Sequence, residues 1–224
     1  MRRTPALLLL PLALASGVAL RAQSPHMGFS LNFNLPTGAF ASTTYPPYYS
    51  STAGHVIPQQ TESYDLGLGG SFTVSFPMDR NLAIRLNLGG QSEYGSNRAP
   101  GEATINLRHS MFNIGGDLQI FPGGTAFRHR GFYFVAGISA DFETFDRTFG
   151  SFNDYYYDYS SSYVDSTHKS RMGASGGFGH SFGGDAGMRF TLEATYHATV
   201  TAHDTSAGDP PSTEFVKLAF GFVF

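Results

Sequence analysis

Eight stretches of the chain alternate apolar and polar side chains at a period of two, and most of them run for about 10–14 residues. Successive side chains of a strand point to opposite faces, so each run belongs where its two faces meet different surroundings. Length narrows the choice. Strands of soluble sheets usually have about 5–6 residues, whereas a tilted strand needs about 9–11 to cross a bilayer.

The runs are explicit. Phe29, Leu31, Phe33 and Leu35 alternate with Gly28, Ser30, Asn32 and Asn34. Tyr64, Leu66, Leu68, Phe72, Val74 and Phe76 face away from Asp65, Gly67, Gly69, Ser71, Thr73 and Ser75. Leu82, Ile84, Leu86 and Leu88 oppose Arg85, Asn87, Gln91 and Glu93. In the fourth run Phe112, Ile114, Leu118 and Ile120 oppose Asn113, Asp117 and Gln119, but upstream the apolar set becomes Ile105, Leu107 and Met111. That slip in phase predicts a β-bulge near Met111. The fifth run sets Phe132, Phe134, Ile138 and Phe142 against Tyr133, Ser139, Asp141 and Glu143. The sixth and weakest has Met172, Ala174, Phe178 and Phe182 opposite a glycine and serine set, with His180 the one ionisable group on its apolar face. The seventh places Phe190, Leu192 and Tyr196 against Arg189, Glu193 and His197, and the eighth Val216, Leu218, Phe220, Phe222 and Phe224 against Lys217, Ala219 and Gly221.

The connections alternate too. Residues 77–81, 122–130 and 183–187 are short, while 36–63, 95–102, 146–169 and 201–213 are longer and polar. Short turns at one end and long loops at the other are the asymmetry of transmembrane barrels. The N-terminus supplies an export signal: Arg2 and Arg3 precede an apolar stretch broken by Pro11, and small residues up to Ala22 provide a cleavage site. Residues 1–22 therefore read as a signal peptide, with cleavage after Ala22 or at the Ala13–Ala15 triplet, and 23–224 as one barrel domain. Its removal leaves 11 basic and 17 acidic side chains, so no clustered basic face for nucleic acid is expected. Past the signal no apolar run reaches the ~18 residues of a membrane helix, and a chain without one spans a bilayer only as a closed barrel.

The ending Phe220-Gly221-Phe222-Val223-Phe224 resembles the C-terminal β-signal of outer-membrane barrels. With the signal peptide and eight strands, the mature chain resembles the small OmpA-like, opacity-type group. The resemblance implies an all-β, closed, up-and-down antiparallel transmembrane barrel of eight strands with short periplasmic turns and long extracellular loops. It also implies that Phe220, Phe222 and Phe224 are read by the barrel-assembly machinery and that outer-membrane lipid surrounds the wall. Alternation alone leaves a soluble lipocalin-like barrel open, with the apolar set lining a ligand cavity.

An eight-stranded barrel is just wide enough for its own side chains. The polar faces of the runs would place Asp65, Arg85, Glu93, Asp117, Asp141, Glu143, Arg189, Glu193 and Lys217 inside, where charges persist only when paired. Counting along the strands puts Arg85 and Asp117 at one height, and Glu193 and Lys217 on neighbouring strands. An ionic plug is expected, with a narrow gated ion channel as the competing reading. The loops are rich in Tyr and Ser, which combine contact area with adaptable hydrogen bonds. Tyr45, Tyr48, Tyr49, Tyr155, Tyr156, Tyr157, Tyr159 and Tyr163 are thus candidates for binding an extracellular ligand. Asp154, Asp158 and Asp165 lack the spacing of a calcium loop, and no cofactor or metal is expected. An enzyme acting on lipid A would need a serine activated by a histidine. The only sequence-adjacent pairs, His109-Ser110 and His180-Ser181, point to opposite faces of their strands, so no catalytic residue is assigned.

Overall fold

The computed structural model describes residues 24–50, 55–57, 59–98, 105–149, 163–183, 187–200 and 211–224, so the predicted signal segment lies outside the described residues. In chain order the elements are β1 (His26–Pro36), the one-turn helix α1 (Gly38–Ala41), β2 (Ser42–Tyr45), β3 (Tyr48–Ser50), β4 (His55–Ile57), β5 (Gln60–Tyr64), β6 (Gly67–Pro77), β7 (Leu82–Arg98), β8 (Ile105–Ile120), β9 (Gly131–Phe149), β10 (Tyr163–Phe182), β11 (Arg189–Thr199) and β12 (Glu214–Val223). The long strands pair antiparallel in sequence order, β1 with β6, then β6 through β12, and β12 returns to β1. The result is a closed eight-stranded up-and-down barrel, which leaves no sheet edge.

Closure is made by the two ends of the described chain. Phe224 N–H donates to the Met27 carbonyl and Met27 N–H to the Phe224 carbonyl, each at 2.9 Å. Both termini therefore lie at the end of the tight turns. In the first of these, Asp79 Oδ1 accepts from the backbone N–H of Asn81 at 2.6 Å and of Leu82 at 2.8 Å, the aspartate-capped turn that launches β7.

The apolar set faces outward on every long strand. Phe29 and Leu31 are each 54% exposed, Leu68 56% and Ile138 64%, and the same face carries Phe112, Phe134, Phe178, Leu192 and Phe220. So large an exposed apolar belt is tolerable only in hydrocarbon. The soluble-barrel alternative, which needs this set to line a cavity, is overturned. His180 shares the outward face, its ring 4.2 Å from that of Phe182.

Two expectations are corrected at the long-loop end. First, β8 contains no bulge. Its register runs unbroken from Leu82↔Ile120 to Asn97↔Ile105 on β7, and from Asn106↔Thr148 to Ile120↔Phe134 on β9. Leu107 and Met111 point into the barrel, 2% and 3% exposed. The phase is constant; the content of the interior changes along the axis. Near the mouth Leu107 packs with Phe40, Tyr64 and Phe145 in an apolar cluster that Ile105 borders. Second, 36–63 is not simply a loop. Helix α1 turns Phe40 inward, and the chain then rises as β2 and returns as β5, which pair with each other (Ser42↔Ser63 to Tyr45↔Gln60). β5 continues β6 past an interruption at Asp65-Leu66, which shifts the phase and turns Tyr64 inward rather than outward as the alternation has it, and β5 pairs with residues 95–98 at the outer end of β7. β3 and β4 form a small hairpin between them. β9 and β10 are 19 and 20 residues long. At about 3.3 Å per residue each is roughly twice the ~30 Å hydrocarbon thickness, so the wall stands well clear of the bilayer even when tilted.

Candidate functional site in the barrel interior

The interior is filled in layers. At the level of the membrane, Arg85 on β7 lies in register with Asp117 on β8. Its Nε donates to Asp117 Oδ2 at 2.8 Å, while Nη1 and Nη2 reach across to Glu193 Oε2 and Oε1 on β11 at 2.6 and 2.9 Å. This is the bidentate fork that a guanidinium makes with a carboxylate. The Tyr133 hydroxyl adds a bond to Glu193 Oε2 at 3.1 Å, and Asn87 Nδ2 one to Asp117 Oδ2 at 3.0 Å. Glycine makes the room: a Cβ on Gly137 would lie 1.9 Å from Asp117 Oδ1, and one on Gly179 2.4 Å from the Tyr133 ring. Lys217 lines the adjoining space, and its charge acts on Glu193.

Below this layer, toward the tight turns, Phe121, His129 and Tyr133 stack as an aromatic floor with Ala83, Ala126 and Val135 beside it. His26 Nε2 hydrogen-bonds the Phe127 carbonyl at 3.0 Å and ties β1 to that turn. His129 sits in the turn with φ 44°, 2% exposed. Burial pushes its imidazolium down to a pKa of about 3, with the Arg85 and His26 charges adding to the effect. The folded value lies below the ordinary 6.5, so the stability of a neutral His129 is complete above pH 6.5 and is lost as pH falls toward 3. Each unit across that window costs about 1.4 kcal/mol. Acid unfolding followed by the gel shift of the folded barrel should show this slope, and His129→Asn should flatten it while lowering stability at neutral pH.

Above the membrane level a second polar group appears. Glu93, His109 and Glu143 are fully or almost fully buried. His109 Nδ1 lies 2.7 Å from Glu93 Oε2, and its Nε2 lies 3.5 Å from Glu143 Oε1. Arg171 Nη1 approaches Glu143 Oε2 at 3.3 Å, Gln91 Nε2 donates to Glu93 Oε1 at 2.8 Å, and the Thr213 hydroxyl donates to Glu143. The rings of Phe145 and Phe40 close over His109 with centroids at 4.6 and 5.0 Å. Higher still, Arg147 pairs with Glu62 at 2.9 Å, and Asn97 Nδ2 donates to Glu62 Oε1 at 3.2 Å. Between the two main layers lies a cavity of about 60 Å³, with Ser30, Ser71, Asn113 and Thr195 among its walls. Asp141 sits at that level, bonded to Ser139 Oγ at 2.7 Å and His197 Nε2 at 3.0 Å.

The structure thus brings Arg85, Asp117, Glu193 and Lys217 together in one layer, and Glu93 with Glu143 in another, while Asp141 pairs with His197. Arg189 is buried near the tight turns, away from either layer. Asp65 is exposed, in the interruption between β5 and β6, and joins no interior layer. The alternation places Tyr133 and His197 on inward faces without assigning either to a layer, and it does not reach His109 or Arg171. Strand parity is the signal that finds His109: without a phase slip it falls inside, opposite Glu93. Of the tyrosines, Tyr45 is half-buried and its hydroxyl donates to Glu62 Oε2 at 3.4 Å. Tyr48 and Tyr49 lie on β3 and Tyr163 begins β10. Tyr155, Tyr156, Tyr157 and Tyr159 lie outside the described residues, as do Asp154 and Asp158. Phe220, Phe222 and Phe224 all face outward, Phe222 within 4.9 Å of the Phe190 ring. His109 points inward and Ser110 outward, and for His180 and Ser181 the directions are reversed.

No family model and no curated protein sequence matches the chain. Solved structures do. The outer membrane protein OprG from Pseudomonas aeruginosa superposes with a TM-score of 0.53 at 11% identity, covering 91% of this chain and 97% of that one. Ail, the attachment invasion locus protein of Yersinia pestis, aligns at 0.47 and 8% identity over 90% and 98% of the two chains. Neisserial surface protein A aligns at 0.45 and 10% identity over 91% and 97%. The fold is that of the small eight-stranded outer-membrane β-barrels.

Proposed function

We propose that this chain is an integral outer-membrane protein whose plugged barrel anchors an extracellular β-wall, and that contacts made by this wall and its Tyr- and Ser-rich loops are its function. The observation that carries the reading is the polarity of the barrel: a continuous apolar belt outside and layered polar plugs inside, beneath strands that stand clear of the bilayer. The barrel is held in outer-membrane lipid, and Phe220, Phe222 and Phe224 serve the barrel-assembly machinery during insertion. No catalytic step is assigned.

Heat modifiability tests the placement. Protein from the outer-membrane fraction should migrate differently on a gel before and after boiling, because a closed barrel resists detergent until heated. A protein that is soluble in the periplasm and shows no shift would sink the reading. A narrow gated channel competes with it. That reading needs the Arg85–Asp117–Glu193 layer and the Phe40 cluster to part together, so purified barrel in a planar bilayer should show no discrete openings. Regular openings would favour the channel.

A further inference from the structure

On the outward face, two glycines of neighbouring strands stand side by side in the belt. Gly70 on β6 and Gly90 on β7 are cross-strand partners, and both point outward. A Cβ on Gly90 would meet only the Met111 carbonyl at 3.8 Å, so open space lies above it. Phe29, Phe72, Leu88 and Phe112 border the resulting groove. Two side chains are absent across one strand spacing, about 4.8 Å, which is the width of a single hydrocarbon chain.

Toward the long loops, Leu68 on β6 stands beside Ser92. Next on the outward face of β7 and β8 comes the pair Ser92↔Ser110, and then Tyr94↔Arg108. The serine hydroxyls lie 3.3 Å apart, Arg108 Nε reaches Ser92 Oγ at 3.4 Å, and the Arg108 guanidinium rests 5.9 Å from the Tyr94 ring centroid. Tyr94 is 61% exposed, as an aromatic of the interfacial girdle should be. Asp146, across from Arg108 on β9, accepts the Ser166 hydroxyl at 2.7 Å, while Arg108 leans the other way, toward β7. Four residues separate Gly90 from Tyr94, about 13 Å along the strand. The Ser92 hydroxyl donates to the His109 carbonyl at 3.2 Å, so a cation and the Ser110 hydroxyl stand where a headgroup phosphate lies, above a slot shaped for the chain that hangs from it.

Resting on the membrane placement proposed above, we infer that this face is a binding site for one phosphorylated, acylated lipid of the outer leaflet. An acyl chain occupies the Gly70–Gly90 groove, and a phosphate is held by Arg108 with Ser110. Arginine suits the phosphate because its fork donates more than one hydrogen bond. The apolar lining suits hydrocarbon and offers a polar ligand nothing.

The test is native mass spectrometry of the folded full-length barrel in neutral detergent, titrated with diphosphorylated lipid A and, in parallel, with phosphatidylcholine. Wild type should retain one lipid A at concentrations where phosphatidylcholine is lost. Arg108→Gln and Gly90→Leu should each weaken retention by about ten-fold, the first by removing a charge-assisted contact and the second by filling the slot. Arg108→Lys should recover part of the loss. The unboiled gel shift, measured on each variant, separates failed folding from failed binding. A folded wild type that holds both lipids equally, or a folded variant that matches wild type, overturns the site and leaves the barrel reading intact. Absence of the shift in wild type itself overturns both.

Discussion

Arg85→Met is expected to produce the largest loss of stability of any single substitution among the interior charges. The guanidinium is the shared cation of Asp117 and Glu193, each less than a tenth exposed. Removing it leaves two carboxylates facing each other with little water. Breaking a buried pair by deleting one partner costs about 3–5 kcal/mol, far more than the pair's net worth, because the remaining charge is uncompensated. The midpoint of urea unfolding in detergent micelles should fall accordingly. The triple variant Arg85→Met, Asp117→Asn, Glu193→Gln should regain most of the loss, since no carboxylate is then stranded and Lys217 is only half-buried. If Arg85→Met alone costs less than about 1 kcal/mol, as an exposed pair would, water reaches the layer and it is no plug.

Gly177→Val is expected to abolish barrel assembly. Gly177 faces inward on β10, and a Cβ there would stand 2.1 Å from the Ala194 carbonyl oxygen and 2.7 Å from Thr195 Cα. Both obstacles are backbone of the next strand. No rotamer change relieves the clash, so the sheet would have to part where β10 and β11 pair. Gly116→Val is the matched control: it points outward and its Cβ would find nothing nearer than 4.0 Å. The outer-membrane fraction should contain the Gly116 variant at wild-type level and essentially none of the Gly177 variant. Equal levels would mean that the β10–β11 pairing is looser than described.

Within the lipid belt the sequence is readable because two solvents, hydrocarbon and a polar lumen, sort side chains by parity along each strand. Parity and counting suffice to set Arg85 opposite Asp117, since the two stand at matching distances from the tight-turn ends of adjacent strands, Leu82 on β7 and Ile120 on β8. They cannot set Arg85 against Glu193, which stands across the lumen and 108 positions away in sequence. Above the belt the sorting force disappears. Outward residues such as Ser92, Ser110 and Thr144 become polar, and inward ones such as Leu107 and Phe145 become apolar. An unbroken parity therefore mimics a bulge at Met111. β2 and β5 are hidden for a related reason: Ser42, Thr43, Thr44, Thr61 and Ser63, exposed or half-buried, put polar side chains on both faces of the hairpin, and the buried Glu62 and Tyr64 of β5 are too few to make a run. Phe40 gives no strand signal either, because it enters the interior from a single helical turn.

The most direct test of the account is which face of each strand touches lipid. The chain contains no cysteine, so single cysteines report without background. Cysteine placed in turn at Phe190, Thr191, Leu192, Thr195 and Tyr196, labelled with a fluorophore and reconstituted in vesicles carrying a bilayer-resident quencher, reads out the phase of β11. Strong quenching is expected at 190, 192 and 196 and little at 191 and 195. The opposite phase, or equal quenching at all five, would contradict a barrel with its apolar face in lipid and its charges within.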